Sequence, residues 1–120
     1  MKSHDRNPVD ALLPLPLPVF HMLLALSEGE RHGYALKREI LRRTNGKINL
    51  ASGALYGSIN RMLEQGFIEE SEERPDPHLD DERRRYYRIT ALGRKVARAE
   101  AVRLRQLVEL ADSSLGYSES

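Results

Sequence analysis

Apolar residues recur at helical spacing in the segment between Ser52 and Gly66. Every third or fourth residue is apolar there, which predicts a helix with one buried stripe. The stripe consists of Leu55, Ile59, Met62 and Leu63. Ser52 is expected to cap the start of this helix, and Gly66 to end it in a left-handed conformation.

The opposite face of this helix is small near its start and polar further on. It consists of Gly53, Ala54, Gly57, Asn60, Arg61 and Glu64. Such a face is typical of an ordinary solvated helix. It also fits the major groove of DNA, where Arg recognises guanine and Asn recognises adenine.

Two further helices are predicted before this one. The first covers Val19 to Ser27, which is apolar nearly all round and is therefore expected to be deeply buried. The second covers about Tyr34 to Thr44, and Asn45-Gly46 ends it. Residues 28–33, with two glycines, predict a turn between the two helices.

A β-hairpin and a long helix are predicted after Gly66. Residues 67–73 and 84–90 predict two strands, with Tyr87 and Ile89 on one face of the second. The residues between the strands, which include two prolines and several acids, are expected to form the hairpin loop. Thr90 is expected to cap a final helix that covers Ala91 to Asp112.

The final helix carries apolar residues at alternating spacings of four and three. They are Ala97, Ala101, Leu104, Val108 and Ala111. This seam, with further apolar residues beside it, exceeds what one small domain can cover, so we expect self-association. Packing of the seam on the chain's own first helix is the alternative, and the two arrangements are compatible.

The N-terminal segment reads L-L-P-L-P-L-P at residues 12–18, and its prolines predict an extended apolar arm. The arm is expected to pack either on its own domain or across a partner chain. We divide the chain into an arm (1–17), a winged helix domain (18–90), a C-terminal dimerisation helix (91–112) and a disordered tail (113–120).

Composition excludes several functions. The 120 residues suffice for one domain, and the chain has no Cys for disulfides, thiolate metal sites or cysteine nucleophiles. His21 is interpreted as a core or interface residue, since no second metal ligand lies at helical spacing. The sequence shows no catalytic or phosphate-binding motif, so neither enzymatic activity nor a cofactor is expected. Without a membrane-spanning run, we expect no membrane partner and a cytoplasmic location.

The small net charge of +1 is unevenly distributed. Residues 33–66 contain six basic and two acidic side chains, whereas residues 68–82 are strongly acidic. This asymmetry predicts a local basic surface on the second and third helices.

The order of elements predicts a mainly α-helical fold with a small β-hairpin. Three helices followed by a two-stranded wing are typical of a winged helix-turn-helix domain, with one C-terminal helix added here. In that arrangement the third helix reads the major groove, and the wing reaches the backbone or the minor groove. Dimers of such modules bind half-sites roughly 34 Å apart.

Three motifs resemble those of the PadR transcriptional regulators. They are H-G-Y at 32–34, S-G-A-L-Y-G-S-I-N-R-M-L-E-Q-G-F-I at 52–68 and R-R-R-Y-Y-R-I-T-A-L-G at 83–93. The resemblance implies a homodimeric repressor of the short-form branch, whose final helix pairs with the N- and C-terminal helices of the other subunit. It also implies that Tyr34 and Tyr56 touch DNA. Some members of that family bind small hydrophobic molecules between subunits and then release DNA.

Two sets of site residues follow. The expected contacts to double-stranded DNA are Tyr34, Lys37, Arg38, Arg42, Lys47, Ser52, Gly53, Ala54, Tyr56, Gly57, Asn60, Arg61, Arg83, Arg84 and Arg85. The expected homodimer interface is formed by Leu15, Leu17, Phe20, Leu23, Leu24, Ala97, Ala101, Leu104, Val108 and Ala111.

The wing tip, R-P-D-P-H-L-D-D-E at 74–82, departs from the family pattern because its acids should be repelled by phosphate. Three interpretations remain open. The tip turns away from DNA, its acids pair with the wing arginines until DNA arrives, or His78 and the aspartates hold a cation.

Two functional alternatives remain open as well. The chain is either a sequence-specific regulator or a winged-helix adaptor that binds another protein, because a fold does not fix a function. A hydrophobic effector would occupy a dimer cavity lined by Phe20, Leu23 and Leu24 with Val102, Leu104 or Val108. These residues otherwise simply fill the dimer core.

Overall fold

A computed structural model describes residues 8–71 and 85–116 of the chain. This part contains a short 3-10 helix, four α-helices and one three-stranded antiparallel sheet. The elements are the 3-10 helix Pro8–Leu12, α1 Leu17–Leu26, β1 Arg31–His32, α2 Gly33–Arg43, α3 Ser52–Gln65, β2 Ile68–Glu70, β3 Tyr86–Ile89 and α4 Ala91–Leu115. The predicted mainly helical winged helix fold is confirmed.

The core lies between α1, α2, α3 and the first half of α4. Its largest fully buried side chains include Met22, Leu36, Ile59, Phe67 and Val96. Burial of an aliphatic or aromatic side chain of this size stabilises the fold by about 1.5–3 kcal/mol. The helical periodicity of α3 identified its inward face correctly, since Leu55, Ile59 and Met62 are buried, whereas only Ala97 of the predicted seam on α4 is buried.

The sheet has the order β1-β3-β2, so the hairpin strand β3 lies in the middle. Ile68 pairs with Ile89 in the hairpin, and Arg31 pairs with Tyr87 on the other side. The two-residue strand β1 was not predicted, because residues 28–33 were expected to form only a turn. A strand this short has no sequence period of its own and exists only through its pairing with β3.

Helix α3 ends as predicted but begins differently. Gly66 adopts a left-handed conformation with φ of 78°, which confirms the predicted stop. The prediction that Ser52 caps the start was wrong, because Ser52 is the first helical residue and the extended residue Ala51 is the N-cap. The carbonyl oxygen of Ala51 accepts the first helical hydrogen bond, from the Leu55 N–H, at 2.9 Å.

Thr90 and Gly93 join the end of α3 to the start of α4. The Thr90 hydroxyl accepts a hydrogen bond from the Gly93 N–H at 3.0 Å, which confirms its predicted capping role, and donates to the Gly66 carbonyl oxygen at 2.6 Å. A Cβ atom on Gly93 would lie 2.1 Å from the carbonyl oxygen of Phe67. Only glycine permits this close approach of the two backbones.

The N-terminal segment differs from the extended arm that the prolines predicted. Pro8–Leu12 forms a 3-10 helix that contacts α4, and Val9 is buried there. Leu15 is buried as well, and its N–H donates to Glu100 Oε2 at 3.3 Å. The described part of the arm therefore packs on its own chain.

Helix α4 is longer than predicted. It continues through Leu115, whereas a frayed tail was expected from Ser113. Leu115 follows Ala111 by four residues and continues the apolar seam, so the periodicity carried a signal for the last turn that the prediction did not use.

Candidate nucleic-acid interface

The outer face of α3 is exposed and slim at its leading end. Gly53 and Ala54 are exposed, and no atom lies within 4 Å of a Cβ atom placed on Gly53. Asn60 and Arg61 are exposed one to two turns further along the same helix. Most of this face is therefore accessible, as the predicted base-reading face requires.

The Arg61 side chain lies back along α3 toward this leading end. Its Nη2 donates to the Oγ of Ser58 at 3.3 Å, and Ser58 is only 5% exposed. Nη1 lies 3.8 Å from the place that a Cβ atom on Gly57 would occupy. The buried hydroxyl thus gives the Arg61 guanidinium a defined starting position on the helix surface.

Close contact between Gly33 and Tyr56 connects the starts of α2 and α3. A Cβ atom on Gly33 would lie 2.7 Å from the Tyr56 hydroxyl oxygen. The H-G-Y motif and the Tyr56 position of the longer motif therefore meet in space. A side chain at residue 33 would push the Tyr56 ring outward from its half-buried position.

His32 caps α2, a role that sequence reasoning missed. Its Nδ1 accepts a hydrogen bond from the Ala35 N–H at 3.0 Å. Ser, Thr, Asp and Asn are the usual N-caps, so a histidine there gives only a weak signal. The cap fixes the start of α2 directly beside the exposed side chain of Tyr34.

Tyr34 and Arg38 form an exposed pair one turn apart on α2. The Arg38 guanidinium carbon lies 5.2 Å from the centroid of the Tyr34 ring. This cation–π contact holds the charge at the surface, and no acid among the described residues pairs with it. Arg38 thus remains an available cation beside α3.

Glu39 neutralises part of the basic surface that the sequence predicted on α2. Arg42 and Arg43 both donate to its carboxylate, and Arg31 Nη1 lies 4.0 Å from it. The hydrogen bonds from Arg42 and then Arg43 lower the Glu39 pKa from 4.5 to about 2. Arg43 also pairs with Glu28. Counting basic and acidic residues in the sequence did not reveal these ion pairs, because the count does not show which side chains contact each other.

The remaining predicted phosphate contacts divide into three groups. Lys37 is half-buried, whereas Lys47, after the end of α2, is exposed. Arg85 is exposed just before β3. Arg83, Arg84 and the acidic wing tip lie outside the described residues. The three interpretations of that tip therefore stay predictions.

The structure places the predicted interface residues in three environments. Leu15, Leu23 and Ala97 are buried within their own chain, although Ala97 also lines the groove between α1 and α4. Phe20, Leu24, Ala101 and Leu104 are half-buried. Leu17, Val108 and Ala111 are exposed. The predicted interface residues that are exposed thus lie at the start of α1 and on the second half of α4.

Glu100 is a buried carboxylate that sequence reasoning did not identify. It is 2% exposed, and Arg103 donates to both of its oxygens, at 2.7 and 2.9 Å. The hydrogen bond from Arg103 lowers the pKa of Glu100, and the backbone hydrogen bond from Leu15 adds to this effect. Its position within an apolar seam could have suggested a buried ion pair, but not the backbone partner.

The residues predicted to line an effector cavity are not brought together within one chain. Leu24 lines a groove between α1 and α4 with Ala97 and Ala101. Val102 instead lines a second groove, of about 610 Å³, between the 3-10 helix and α4. Leu23 lies in the core and reaches neither groove.

No group of three or more His, Cys, Asp or Glu side chains in the described part of the chain could hold a metal ion. None of its helices is long and apolar enough to cross a membrane.

Comparisons with solved structures show the same fold. A transcriptional regulator from Clostridium thermocellum is 23% identical, with a TM-score of 0.67 over 81% of this chain and 91% of that chain. A PadR family transcription regulator from Clostridium difficile is 19% identical, with a TM-score of 0.69 over 84% of this chain and 100% of that chain.

Comparisons of sequence identify the family. An uncharacterised protein of Lysinibacillus sphaericus is 33% identical over 73 residues, which are 61% of this chain. The match spans 64% of the length of that relative. Residues 22–99 match the transcriptional regulator PadR-like family, and this region holds α2, α3, the wing and the first turns of α4. The chain therefore belongs to the PadR-like family of DNA-binding transcriptional regulators.

Proposed function

We propose that this protein is a homodimeric repressor that binds a palindromic operator through α3. The observation that carries the proposal is the slim, exposed face of α3, with Asn60 and Arg61 directed away from the core. A helix of this kind enters the major groove, where these two side chain types distinguish bases.

Phosphate contacts would come from the elements around α3. Arg38 and Lys47 are exposed cations before α3, and Arg85 is an exposed cation just before β3. Cations at these places neutralise phosphates and release counterions, which makes binding sensitive to salt. They position the protein on DNA, whereas α3 supplies the sequence preference.

The second half of α4 supports a homodimer. Leu107, Val108 and Leu110 are 51–65% exposed on a helix that extends beyond its own domain. Apolar surface of this kind is usually covered by a partner, most often a second copy of the same chain. A two-fold dimer presents two α3 helices to one operator, which then has matching half-sites. A dimer bound at a promoter represses by occupying DNA that other proteins need.

Fluorescence anisotropy tests the proposal. Purified protein is titrated against the DNA upstream of its own gene and against a scrambled duplex, at several salt concentrations. We expect tight, salt-sensitive binding with at least a tenfold preference for the native duplex. Equal, weak binding to both duplexes would contradict the proposal and favour the adaptor.

Two matched variants locate the reading face. Arg61→Ala should lower the preference for the native duplex by about tenfold, because one bidentate base contact supplies about 1–3 kcal/mol. Lys95→Ala removes the same charge from the exposed surface of α4 and should leave the preference unchanged. If Arg61→Ala lowers the affinity for the native and the scrambled duplex equally, Arg61 does not read a base.

An effector that releases DNA would bind in the groove between the 3-10 helix and α4. Its apolar walls include Pro8, Val9 and Leu92, and Lys95 and Arg98 stand beside them. This lining suits a small hydrophobic molecule with an anionic group. Addition of such a compound should release the labelled operator, and Val102→Trp should block that release while leaving operator binding intact.

A further inference from the structure

His32 lies where three elements of the proposed DNA surface meet. It is the last residue of β1 and the N-cap of α2. Its ring contacts the ring of Tyr86 on β3 edge to face, with 5.3 Å between the centroids. Gly33, the next residue, packs against the ring of Tyr56 on α3, and the exposed Tyr34 follows. The position of His32 therefore determines how the start of α2 lies against the wing and α3.

The hydrogen bond at this junction requires a neutral imidazole. Nδ1 of His32 accepts from the Ala35 N–H at 3.0 Å, so the ring proton lies on Nε2. An imidazolium carries a proton on each nitrogen and has no acceptor left. Its positive charge would also face the positive end of the α2 dipole. Protonation of His32 thus removes the cap and repels the ring from the start of the helix.

Histidine is the side-chain type that ordinarily titrates between pH 5 and 8. The titratable and charged groups that the described residues place around this junction are of other types. They are Glu30, Arg31, Tyr34, Tyr56, Arg85, Tyr86 and Arg88. Arg31 is directed to the carbonyl oxygen of Ala25, to which its Nε donates at 3.3 Å. Arg88 pairs with Glu69 at 2.8 Å and lies 3.8 Å from Glu30. His32 is thus the group whose charge changes when the medium becomes mildly acidic.

We infer that His32 is a positioning residue that makes operator binding sensitive to pH. Neutral His32 holds the start of α2 against the wing strand β3 and beside α3. Protonated His32 releases the start of α2, and with it Tyr34, so the affinity for DNA falls from about pH 7.5 to about pH 5.5. This inference rests on the proposed function and adds a condition under which the protein leaves its operator.

Acid has two opposing effects on DNA binding, and the geometry at His32 decides between them. A lower pH adds positive charge to the protein, which by itself strengthens binding to phosphate. The charge on His32 contributes little to this attraction, because the ring is half-buried beside Tyr86. Loss of the cap acts directly on the start of α2. We therefore expect the lost ordering of α2 to exceed the gained attraction.

An asparagine at residue 32 separates capping from titration. Its side-chain oxygen accepts hydrogen bonds at a helix start, as Nδ1 of His32 does, but it does not titrate. The labelled duplex from upstream of the gene is titrated with wild type and His32→Asn by fluorescence anisotropy, at constant ionic strength. The two proteins should bind within about twofold of each other at pH 7.5. At pH 5.5 the wild type should bind about fivefold more weakly than His32→Asn. The other histidines titrate in both proteins, so this ratio reports on residue 32.

Two control variants test whether the effect is specific to the His32 cap. His32→Ala lacks the cap at every pH and should bind weakly at both pH values, with its fold checked by circular dichroism. His21→Gln removes a half-buried histidine from α1 and should keep the wild-type pH profile. A wild-type profile in His32→Ala would show that the cap does not position α2 for DNA, and would overturn the inference.

NMR spectroscopy follows the cap without DNA. The amide signal of Ala35 should shift between pH 7.5 and pH 5.5 in the wild type and should stay in place in His32→Asn. If the wild type binds no duplex at pH 7.5, the proposed function is overturned, and a shift of the Ala35 signal would still support His32 as a pH-dependent cap. If the wild type binds but shares its pH profile with His32→Asn, the inference alone is overturned.

Discussion

Helices α2 and α3 belong to the same proposed DNA surface, yet they are held in place in different ways. Close packing at two glycines fixes α3. The Tyr56 side chain packs on the backbone of Gly33, and the backbone of Phe67, just after α3, packs on that of Gly93. On α2, Arg42 and Arg43 are held by ion pairs with Glu39. Close packing does not respond to salt or pH, whereas exposed ion pairs do. The position of α3 therefore depends on packing. The net charge that α2 presents depends on pH and salt concentration.

The largest effect is expected where the packing around α3 is broken. Gly93→Ala should lower the free energy of unfolding by about 3 kcal/mol, because the new methyl group meets the immobile carbonyl of Phe67. Urea denaturation measures the change. Gly53→Ala is the matched control at an open helical position and should raise stability by about 0.5–1 kcal/mol. If the Gly93→Ala protein has wild-type stability, the backbone around Phe67 can move to accommodate the methyl group.

A smaller effect is expected when the ion pairs of α2 are weakened. Glu39→Gln should lower the free energy of unfolding by about 1.5 kcal/mol at pH 7. The folded-state pKa of Glu39 is about 2, below its ordinary value of 4.5. Its stabilisation is therefore complete above pH 4.5 and is lost as the pH falls toward 2.

Urea denaturation at pH 7 and pH 3 checks this pH dependence. The wild-type protein should lose more stability between the two pH values than the Glu39→Gln variant. Glu64→Gln, at an exposed position on α3, is the control and should follow the wild type. The same pH dependence in wild type and Glu39→Gln would assign the acid sensitivity to other groups.

Two arginines on α2 allow the same comparison for DNA affinity. Arg38 stacks on Tyr34 and has no acidic partner in the described part of the chain, whereas Arg42 is paired with Glu39. We expect Arg38→Ala to weaken binding to all duplexes about fivefold and to reduce the salt slope by about one. Arg42→Ala should act in the same direction but only about twofold. A larger loss for Arg42→Ala would show that DNA displaces Glu39.

The smallest effect is expected from the hydroxyl that holds Arg61. Ser58→Ala should reduce the preference for the native duplex about twofold, since Arg61 then loses its defined position before binding. The salt slope should not change, because no phosphate contact is lost. Ser113→Ala on exposed α4 is the control. An unchanged preference in Ser58→Ala would mean that DNA alone orients Arg61.

The sequence allowed the helices, the hairpin and the face of α3 to be predicted, because each depends on local periodicity or on a local end signal. Gly66 and Thr90 are such signals. The strand β1 and the bond from Leu15 to Glu100 were not predictable, since each depends on a partner more than 50 residues away. The ion pairs around Glu39 were missed for a related reason, because a count of basic and acidic residues does not show which side chains pair.

The junction at Thr90 makes α4 a lever for the reading helix. Its hydrogen bonds and the backbone contact at Gly93 oblige α3 to turn with the start of α4. In a dimer joined through α4, a change of about 10° in the angle between the two helices would displace α3 by roughly 5 Å over a lever of about 30 Å. That displacement exceeds the roughly 3.4 Å step between base pairs. The angle between the two α4 helices, far from the DNA, would thus determine which spacing of operator half-sites the dimer can bind.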